Sequence, residues 1–413
     1  MRDARVAVAT AGCLTPAPAG PMIAHMRKLL ALAGAALVVA ACSETAEVAT
    51  IRPLTATLEL RLDADSLNLS PITWIAVARD GNIAVAQGQD GNIRYFDERG
   101  TDLGTFGRTG GGPGEFQWIG LHGWLADSLF ILDPQARRLT LVSPARTLVR
   151  TMPWPGTIVL DDDPSTPEPH FFWVMPVALY ADGSMLTNPM TAAANTTIAW
   201  PGGEPAGDPL VRVDSNARFQ KIVATRPEDP CQVRFPMPGG SGSIPVPFCF
   251  APLTDFALDG SRIATVLPGA SSVPGRASYR LIVVAAAGDT TLARDYTYEP
   301  ISVPPDTLES VLALRLKNEK RQEFIDAYRS VKPPDSYPAL SRVLVGRDDT
   351  IWLETYSRSG DRIWRVLGPD GATLGDVAVP RTIHIIVASR DAFWGTDTDE
   401  NDLASVVRFR IAR

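Results

Sequence analysis

The chain has 413 residues, 45% of them hydrophobic and 21% charged, with a formal net charge of −7. That acidic balance, with no basic run against it, repels phosphate backbones and anionic headgroups and excludes nucleic acid as a partner. Downstream of residue 42 no stretch approaches the ~20 consecutive apolar residues that a membrane-spanning helix needs, so any membrane contact has to come from an anchor.

The anchor is legible first in chain order. Residues 26–42 read Met-Arg-Lys-Leu-Leu-Ala-Leu-Ala-Gly-Ala-Ala-Leu-Val-Val-Ala-Ala-Cys, which resembles a bacterial lipoprotein export signal. Arg27 and Lys28 supply the positive start, Leu29 to Val39 the short apolar core. Val39-Ala40-Ala41-Cys42 is similar to a lipobox, cut between Ala41 and Cys42. The resemblance implies that Cys42 becomes the first mature residue, that its thiol carries a diacylglyceryl group, and that everything after it works outside the cytoplasm. A transmembrane helix or an ordinary cleaved secretory signal are the other readings of the stretch. Residues 1–25 place Asp3, Cys13 and several prolines ahead of a complete signal, so Met26 or Met22 is the expected start. Ser43 stands where an aspartate would resemble an inner-membrane retention signal, which points to the outer membrane, facing periplasm or cell exterior. Residues 1–41 carry four basic side chains and one acidic, so their removal takes −7 to −10. Membrane affinity then rests on acyl chains, at ~0.8 kcal/mol per buried methylene, rather than on a polybasic patch.

Residues 42–54 read as a lipidated tether, and 55–413 as the folded domain. Thr57-Leu58-Glu59-Leu60-Arg61-Leu62 alternates, which puts Leu58, Leu60 and Leu62 on one face of a strand. A repeated unit follows: an apolar strand, a tight turn, a second strand, a third, then a polar turn. Asp80-Gly81, Asp182-Gly183, Asp259-Gly260 and Asp349-Thr350 mark the first turn in four units, because Gly and Asp tolerate the positive φ of tight hairpins. Units of ~40–60 residues built from short antiparallel strands predict propeller blades. Six are expected, near 70–107, 117–152, 170–226, 252–298, 339–380 and 383–411. The last is one strand short, and the strand at 57–62 would complete it and remove the open sheet edges.

Phe106-Gly107-Arg108-Thr109-Gly110-Gly111-Gly112-Pro113-Gly114-Glu115-Phe116 resembles the inter-blade signature of NHL-repeat propellers, as does Leu129-Phe130-Ile131-Leu132-Asp133 with Arg138-Leu139 after it. Gly81 to Asp97 fits the same frame, with Gln87 and Asn92 where that family prefers Asp and Arg. Trp352, Trp364 and Gly368-Pro369-Asp370-Gly371 give a related cadence near the C-terminus. The chain is similar to six-bladed, NHL-like bacterial lipoproteins and secreted proteins. The resemblance implies an all-β, six-bladed β-propeller, with an N-terminal strand closing the last blade and one inserted helical segment. It implies hardly anything about activity.

Residues 153–170 and 187–210, rich in Pro, Thr, Gly and Asp, interrupt the rhythm as loops. Cys231 and Cys249 enclose a Pro/Gly-rich segment with no predicted helix or strand; in an oxidising compartment a disulfide is expected, with two free buried thiols as the alternative. Residues 306–330 are the one helical insertion: Asp306 and Glu309 have capping-box spacing, and Leu308, Val311, Leu312 and Leu316 recur at helical intervals.

Chemistry-bearing residues are scattered. The Gly110–Glu115 loop lacks the Gly-Lys-Ser/Thr ending of a phosphate cradle and reads as a crossover, flanked by Arg108 and Glu115 in a solvated salt bridge or at the ring's mouth. Asp133 and Arg138 are expected to pair across a hairpin. Asp397, Asp399, Asn401 and Asp402 begin like a calcium loop, but Arg408 stands where its glutamate belongs. Of the mature histidines His122, His170 and His384, the first and last lie on predicted inner strands, and an acid such as Asp255 could join them. Two tunnel imidazoles and that carboxylate suit calcium or zinc, although no spacing motif supports a metal. The candidate tunnel and mouth residues are therefore Arg108, Glu115, His122, Asp255 and His384, with no catalytic motif and no required cofactor. The leading reading is a monomeric, membrane-anchored propeller that binds a protein, peptide or glycan. The alternatives are a lactonase-like hydrolase or lyase with a central metal, and an envelope protein with no small-molecule ligand.

Overall fold

The computed structural model describes residues 51–69, 71–154, 156–160, 171–191, 198–237, 240–270, 274–357 and 360–412. The export signal, Cys42, most of the tether, His170 and Asp161 to Asp163 lie outside the described residues.

The chain opens with β1 (Pro53–Leu62) and a single helical turn, α1 (Ala64–Leu67), capped by the Asp63 carboxylate on the Ser66 amide. Then come β2 (Trp74–Val77), β3 (Ile83–Gln87), β4 (Asn92–Phe96) and β5 (Asp102–Phe106), which form one antiparallel sheet in that order. The next sheet is β6 (His122–Leu125), β7 (Ser128–Asp133), β8 (Arg138–Val142) and β9 (Leu148–Pro153). A third holds β10 (Phe171–Leu179), β11 (Met185–Thr191), β12 (Asp208–Val213) and β13 (Phe219–Arg226). After a hairpin of β14 (Gln232–Met237) and β15 (Gly240–Pro245) comes a fourth sheet, β16 (Leu253–Phe256), β17 (Arg262–Gly269), β18 (Ala277–Ala285) and β19 (Thr290–Tyr298). Two helices, α2 (Pro305–Leu316) and α3 (Gln322–Ser330), precede β20 (Leu340–Val345), β21 (Ile351–Thr355), β22 (Arg362–Leu367) and β23 (Thr373–Val379). The chain ends in β24 (Ile383–Ala388), β25 (Ala392–Thr398) and β26 (Ala404–Ala412). These last seven strands and β1 make an eight-stranded sheet, β20-β21-β22-β23-β1-β26-β25-β24.

The arrangement is all-β and propeller-like. In the first two sheets the middle strands are largely buried and the last strand is mostly exposed: every residue of β3 is buried, whereas β5 and β9 are mostly exposed. The buried faces meet in clusters between consecutive sheets and, within the eight-stranded sheet, between β20–β23 and β24–β26. Ile93 packs with Ile131, Phe130 with Val211, Leu186 with Ile263, Leu281 with Leu353, and Trp364 with Phe393. One further cluster joins Ile75 and Phe96 near the N-terminus to Trp394 and Val406 near the C-terminus. At ~1.5–3 kcal/mol per fully buried large side chain, these interfaces rather than single hairpins hold the fold.

The first hairpin of four sheets uses the same turn. Asp80, Asp182, Asp259 and Asp348 each accept the amide two residues on. Between them Gly81, Gly183 and Gly260 take φ of 88°, 82° and 72°. In the fifth sheet Asp349 occupies the glycine's place at φ 67°, so the turn is Asp348-Asp349, one residue earlier than the sequence pattern suggests.

Several expectations need correction. β1 does not alternate throughout: between Leu58 and Leu60 its pairing with β26 slips by one residue at Glu59. Leu58 is consequently 48% exposed, while Leu60 and Leu62 join the cluster containing Ile75, and Leu54 and Ala56 the cluster containing Trp364. The bulge turns the two halves of one strand toward opposite faces. The loop between the cysteines is not structureless. Cys231 and Cys249 are bonded, Cα atoms 5.5 Å apart, and enclose the β14–β15 hairpin. The helical insertion is broken into two because the Glu319 carboxylate takes the Lys320 and Arg321 amides at 3.0 Å. No capping box forms: Pro304 is the N-cap, and the Asp306 carboxylate accepts the Thr307 amide. The helices and the hairpin share a satellite cluster of Phe235, Ile244, Ala327 and Tyr328. Residues 187–191 and 208–210, expected as loop, continue β11 and begin β12.

Candidate functional site

Side chains of β2, β6, β10, β16, β20 and β24 line a lumen. Two cavities occupy it. One, of about 410 Å3, is lined by Trp74, Leu121, His122, Met175, Asp255 and Phe256, among others. The second, of about 310 Å3, is lined by Trp74, Trp124, Asp255, Arg342, Arg347 and Asp349, among others. Trp74, Asp255, Phe256 and Leu258 belong to both linings, so the cavities meet there.

His122 is 1% exposed. Its Nδ1 lies 3.1 Å from the Gly120 carbonyl, which can only accept, so Nδ1 carries the proton and Nε2 is left as an acceptor. That Nε2 is buried without a partner, and the ring meets Trp74 edge-to-face at 6.3 Å. Burial pushes the imidazole down to about 4, so it is neutral at physiological pH. Two residues on, the Trp124 indole N–H is likewise buried without a partner.

Asp255 enters the lumen from β16. Its Oδ2 accepts the Val345 amide at 2.7 Å, a bond from one inner strand to the next. Its side chain is half-buried in the cavity lining beside Phe256 and Leu258, which takes much of its surface out of solvent. That desolvation pushes the carboxyl up to about 6, against the pull of the Val345 and Phe256 amides and the Arg342 charge. Arg342 donates to the Ile385 carbonyl at 3.1 Å and lies 3.5 Å from His384 Nδ1 and over the Trp364 ring. His384 itself is exposed, its pKa held down by partial burial and by the Arg342 and Arg362 charges.

The lumen thus brings His122 and Asp255 into one lining and leaves His384 at its margin, beside Arg342. Arg108 and Glu115 are elsewhere, on the glycine-rich crossover. They pair at 2.6 Å, and Glu115 also accepts the Gly112 amide. Asp133 and Arg138 are register partners, but their closest approach is 3.9 Å. The buried Asp133 carboxylate takes the amides of Gln117, Trp118 and Ala136, and Arg138 donates to the Gly111 and Glu115 carbonyls, so both anchor the crossover. Asp399 accepts the amides of Asn401 and Leu403 and forms a hairpin turn. Sequence reasoning missed Trp74, Trp124 and Arg342. The signal for Arg342 was available: a guanidinium between Leu340 and Leu344 on an inner strand.

Among the described residues, no group of three or more His, Cys, Asp or Glu could hold a metal ion, and no helix is long and apolar enough to cross a membrane.

No family model matches the chain, and no curated protein does. Solved structures with a similar fold include a member of the DUF4221 family from Bacteroides vulgatus, at a TM-score of 0.44 and 10% identity, covering 87% of this chain and 98% of that one. Virginiamycin B lyase from Staphylococcus aureus superposes with a TM-score of 0.37 at 8% identity, over 87% of this chain and 99% of that one. For the calcium-binding protein regucalcin from Agrobacterium tumefaciens the values are 0.35, 11%, 88% and 97%.

Proposed function

We propose that this chain is a lipid-anchored, extracytoplasmic, monomeric six-bladed propeller whose work is binding, and that its lumen takes part of a protein, peptide or glycan partner. The six-blade count is supported by six clusters, five between separate sheets and one inside the eight-stranded sheet between β20–β23 and β24–β26. Closure by the N-terminal strand is supported by the antiparallel register of β1 with β26, from Thr55 opposite Ala412 to Leu62 opposite Val406. The address rests on the lipobox-like residues ending in Cys42, and an outer-membrane site on Ser43 after it; a disulfide suits an oxidising compartment.

The observation that carries the binding reading is the His122 Nε2, an acceptor buried without a partner in the lining of a 410 Å3 cavity. Such an atom costs ~1–3 kcal/mol, and a ligand donor would satisfy it. The cavity has the size of a small-molecule or side-chain site, too small for a folded domain. The test is capture from native membranes by full-length protein and by His122→Leu, with the captured partner then titrated against both. The variant is expected to bind at least tenfold more weakly at an unchanged or higher melting temperature. Equal affinity would refute the lumen as the site. Stoichiometric zinc or calcium in purified wild type, lost in His122→Ala and Asp255→Ala, would replace the binding reading with a metal-dependent hydrolase or lyase.

A further inference from the structure

The walls of the 410 Å3 cavity narrow the chemistry of what fits there. Among the described residues of its lining, Asp255 is the one side chain charged at neutral pH, because His122 is neutral. Leu121, Met175, Phe256 and Leu258 supply apolar wall, and Trp74 stands between this cavity and the second one. Two acceptors therefore face an apolar chamber. His122 Nε2 is buried without a partner. Asp255 gives Oδ2 to the Val345 amide at 2.7 Å, and the Phe256 amide draws on the same carboxylate. A carboxylate accepts about four hydrogen bonds, so lone pairs remain for a ligand.

We propose that the lumen takes an aliphatic primary ammonium group, as borne by a lysine side chain or a free alkylamine, its head donating to His122 Nε2 and Asp255 and its stem lying against Met175, Phe256 and Leu258. The inference rests on the lumen reading above and names the chemistry of its ligand. An aliphatic stem with a charged tip matches apolar walls that end in acceptors. Donor counting favours the ammonium over a guanidinium: its three N–H groups are met by the two acceptors and an aromatic face, whereas a guanidinium brings five in a fixed fork. Trp74, 38% exposed, presents ring surface at the junction of the cavities, and an indole face attracts a cation.

Other ligand classes fit less well. An anion would meet Asp255 with no cation in the same lining, and a neutral alcohol would leave that charge unpaired. Arg342, whose charge reaches Asp255, lines the adjoining cavity and is itself engaged by the Ile385 carbonyl and the Glu354 charge. The net charge of −7 draws cations toward the chain as a whole.

The experiment is calorimetric titration of full-length protein at pH 7.5, with a chelator present, against acetyl-Gly-Lys-Gly-amide and against pentylamine. Three control peptides carry norleucine, Nε-acetyl-lysine or arginine in place of lysine. The lysine peptide or pentylamine is expected to bind, the tighter of the two naming the source, and each control at least tenfold more weakly. Asp255→Asn, which keeps the shape of the side chain, is expected to weaken the ammonium at least tenfold, and His122→Leu at least fivefold. If Asp255→Asn does not fold, His122→Leu reads the same site. The proposal is overturned if neither ammonium gives heat, if the norleucine, acetyl-lysine or arginine peptide binds as tightly, or if both variants bind as wild type does. A captured partner that loses affinity for His122→Leu, but is not displaced by either ammonium, keeps the lumen as the site and overturns the ammonium alone. A partner indifferent to His122→Leu removes the lumen reading itself, and this inference with it.

Discussion

His122 and Asp255 share one lining yet are displaced in opposite directions, and their titrations should oppose each other. The Asp255 carboxyl sits at about 6 against an ordinary 3.8. Between those values the native chain keeps a proton that the unfolded chain has lost, so stability falls as pH rises through the window. His122 sits at about 4 against 6.5. There the unfolded chain binds the proton, so stability rises with pH over nearly the same range. Each effect amounts to about 3 kcal/mol, and wild type should be nearly flat from these two groups. Asp255→Asn is expected to gain stability as pH goes from 4 to 6.5, and His122→Leu to lose it. Urea midpoints at pH 4, 5, 6 and 7 check both slopes, and parallel curves for the three proteins would contradict the burial assigned to these side chains. At pH 7, His122→Leu should be as stable as wild type or up to about 1 kcal/mol more so, because an unsatisfied buried acceptor is replaced by an apolar group.

At the scale of single elements, β1 shows how one residue serves two packing surfaces. Glu59 is the extra residue of the bulge, and its carboxylate pairs with Arg408 and Arg410. Deleting it would carry Leu60 and Leu62 to the face opposite their cluster. Burying two leucines contributes roughly 3–6 kcal/mol, so a loss of several kcal/mol is expected by denaturant titration, whereas Glu59→Gln, which keeps the bulge, should cost under about 1 kcal/mol. The stapled hairpin should behave differently. Replacing Cys231 and Cys249 by serine opens a closure of 18 residues, a loss of ~3 kcal/mol in the chain-entropy model, expected as earlier melting of the satellite cluster. These elements also mark what could be read from the sequence. Asp-Gly turns and apolar strands are local, so the unit boundaries were legible to within a few residues. The bulge was hidden because Thr57 to Leu62 alternates on paper, and only the register against β26, more than 340 positions later, reveals the slip. The β14–β15 hairpin was hidden because Pro236, Gly240 and Gly242 speak for a loop until a disulfide and two helices cover them. For the site, a histidine on a predicted inner strand pointed to His122, which the lumen lining contains, and equally to His384, which lies at the margin. Which strands face each other across the lumen, and hence that Trp74 and Arg342 belong there, is a property of the assembled sheets.

For the whole molecule, the lipid address is tested directly. Full-length protein expressed in a bacterial host is expected to incorporate labelled palmitate and to sediment with membranes, and Cys42→Ser to lose both; a wild-type protein left unlabelled would remove the anchor. The pairing of β1 with β26 carries a consequence for synthesis. Arg61 and Asp397, bonded at 2.6 Å, are 336 positions apart, so β1, the first of the described strands to leave the ribosome, must wait, partnerless, for strands made far later. Such long-range pairing is slow to form, and during the wait its backbone groups are open to any other extended segment. A nonsense mutation that removes only residues 404–413 therefore does more than trim the tail. It strands β1 and β25 as two raw borders, and the product should exchange strands with its own copies or fall to proteases instead of settling as a smaller version of the same body.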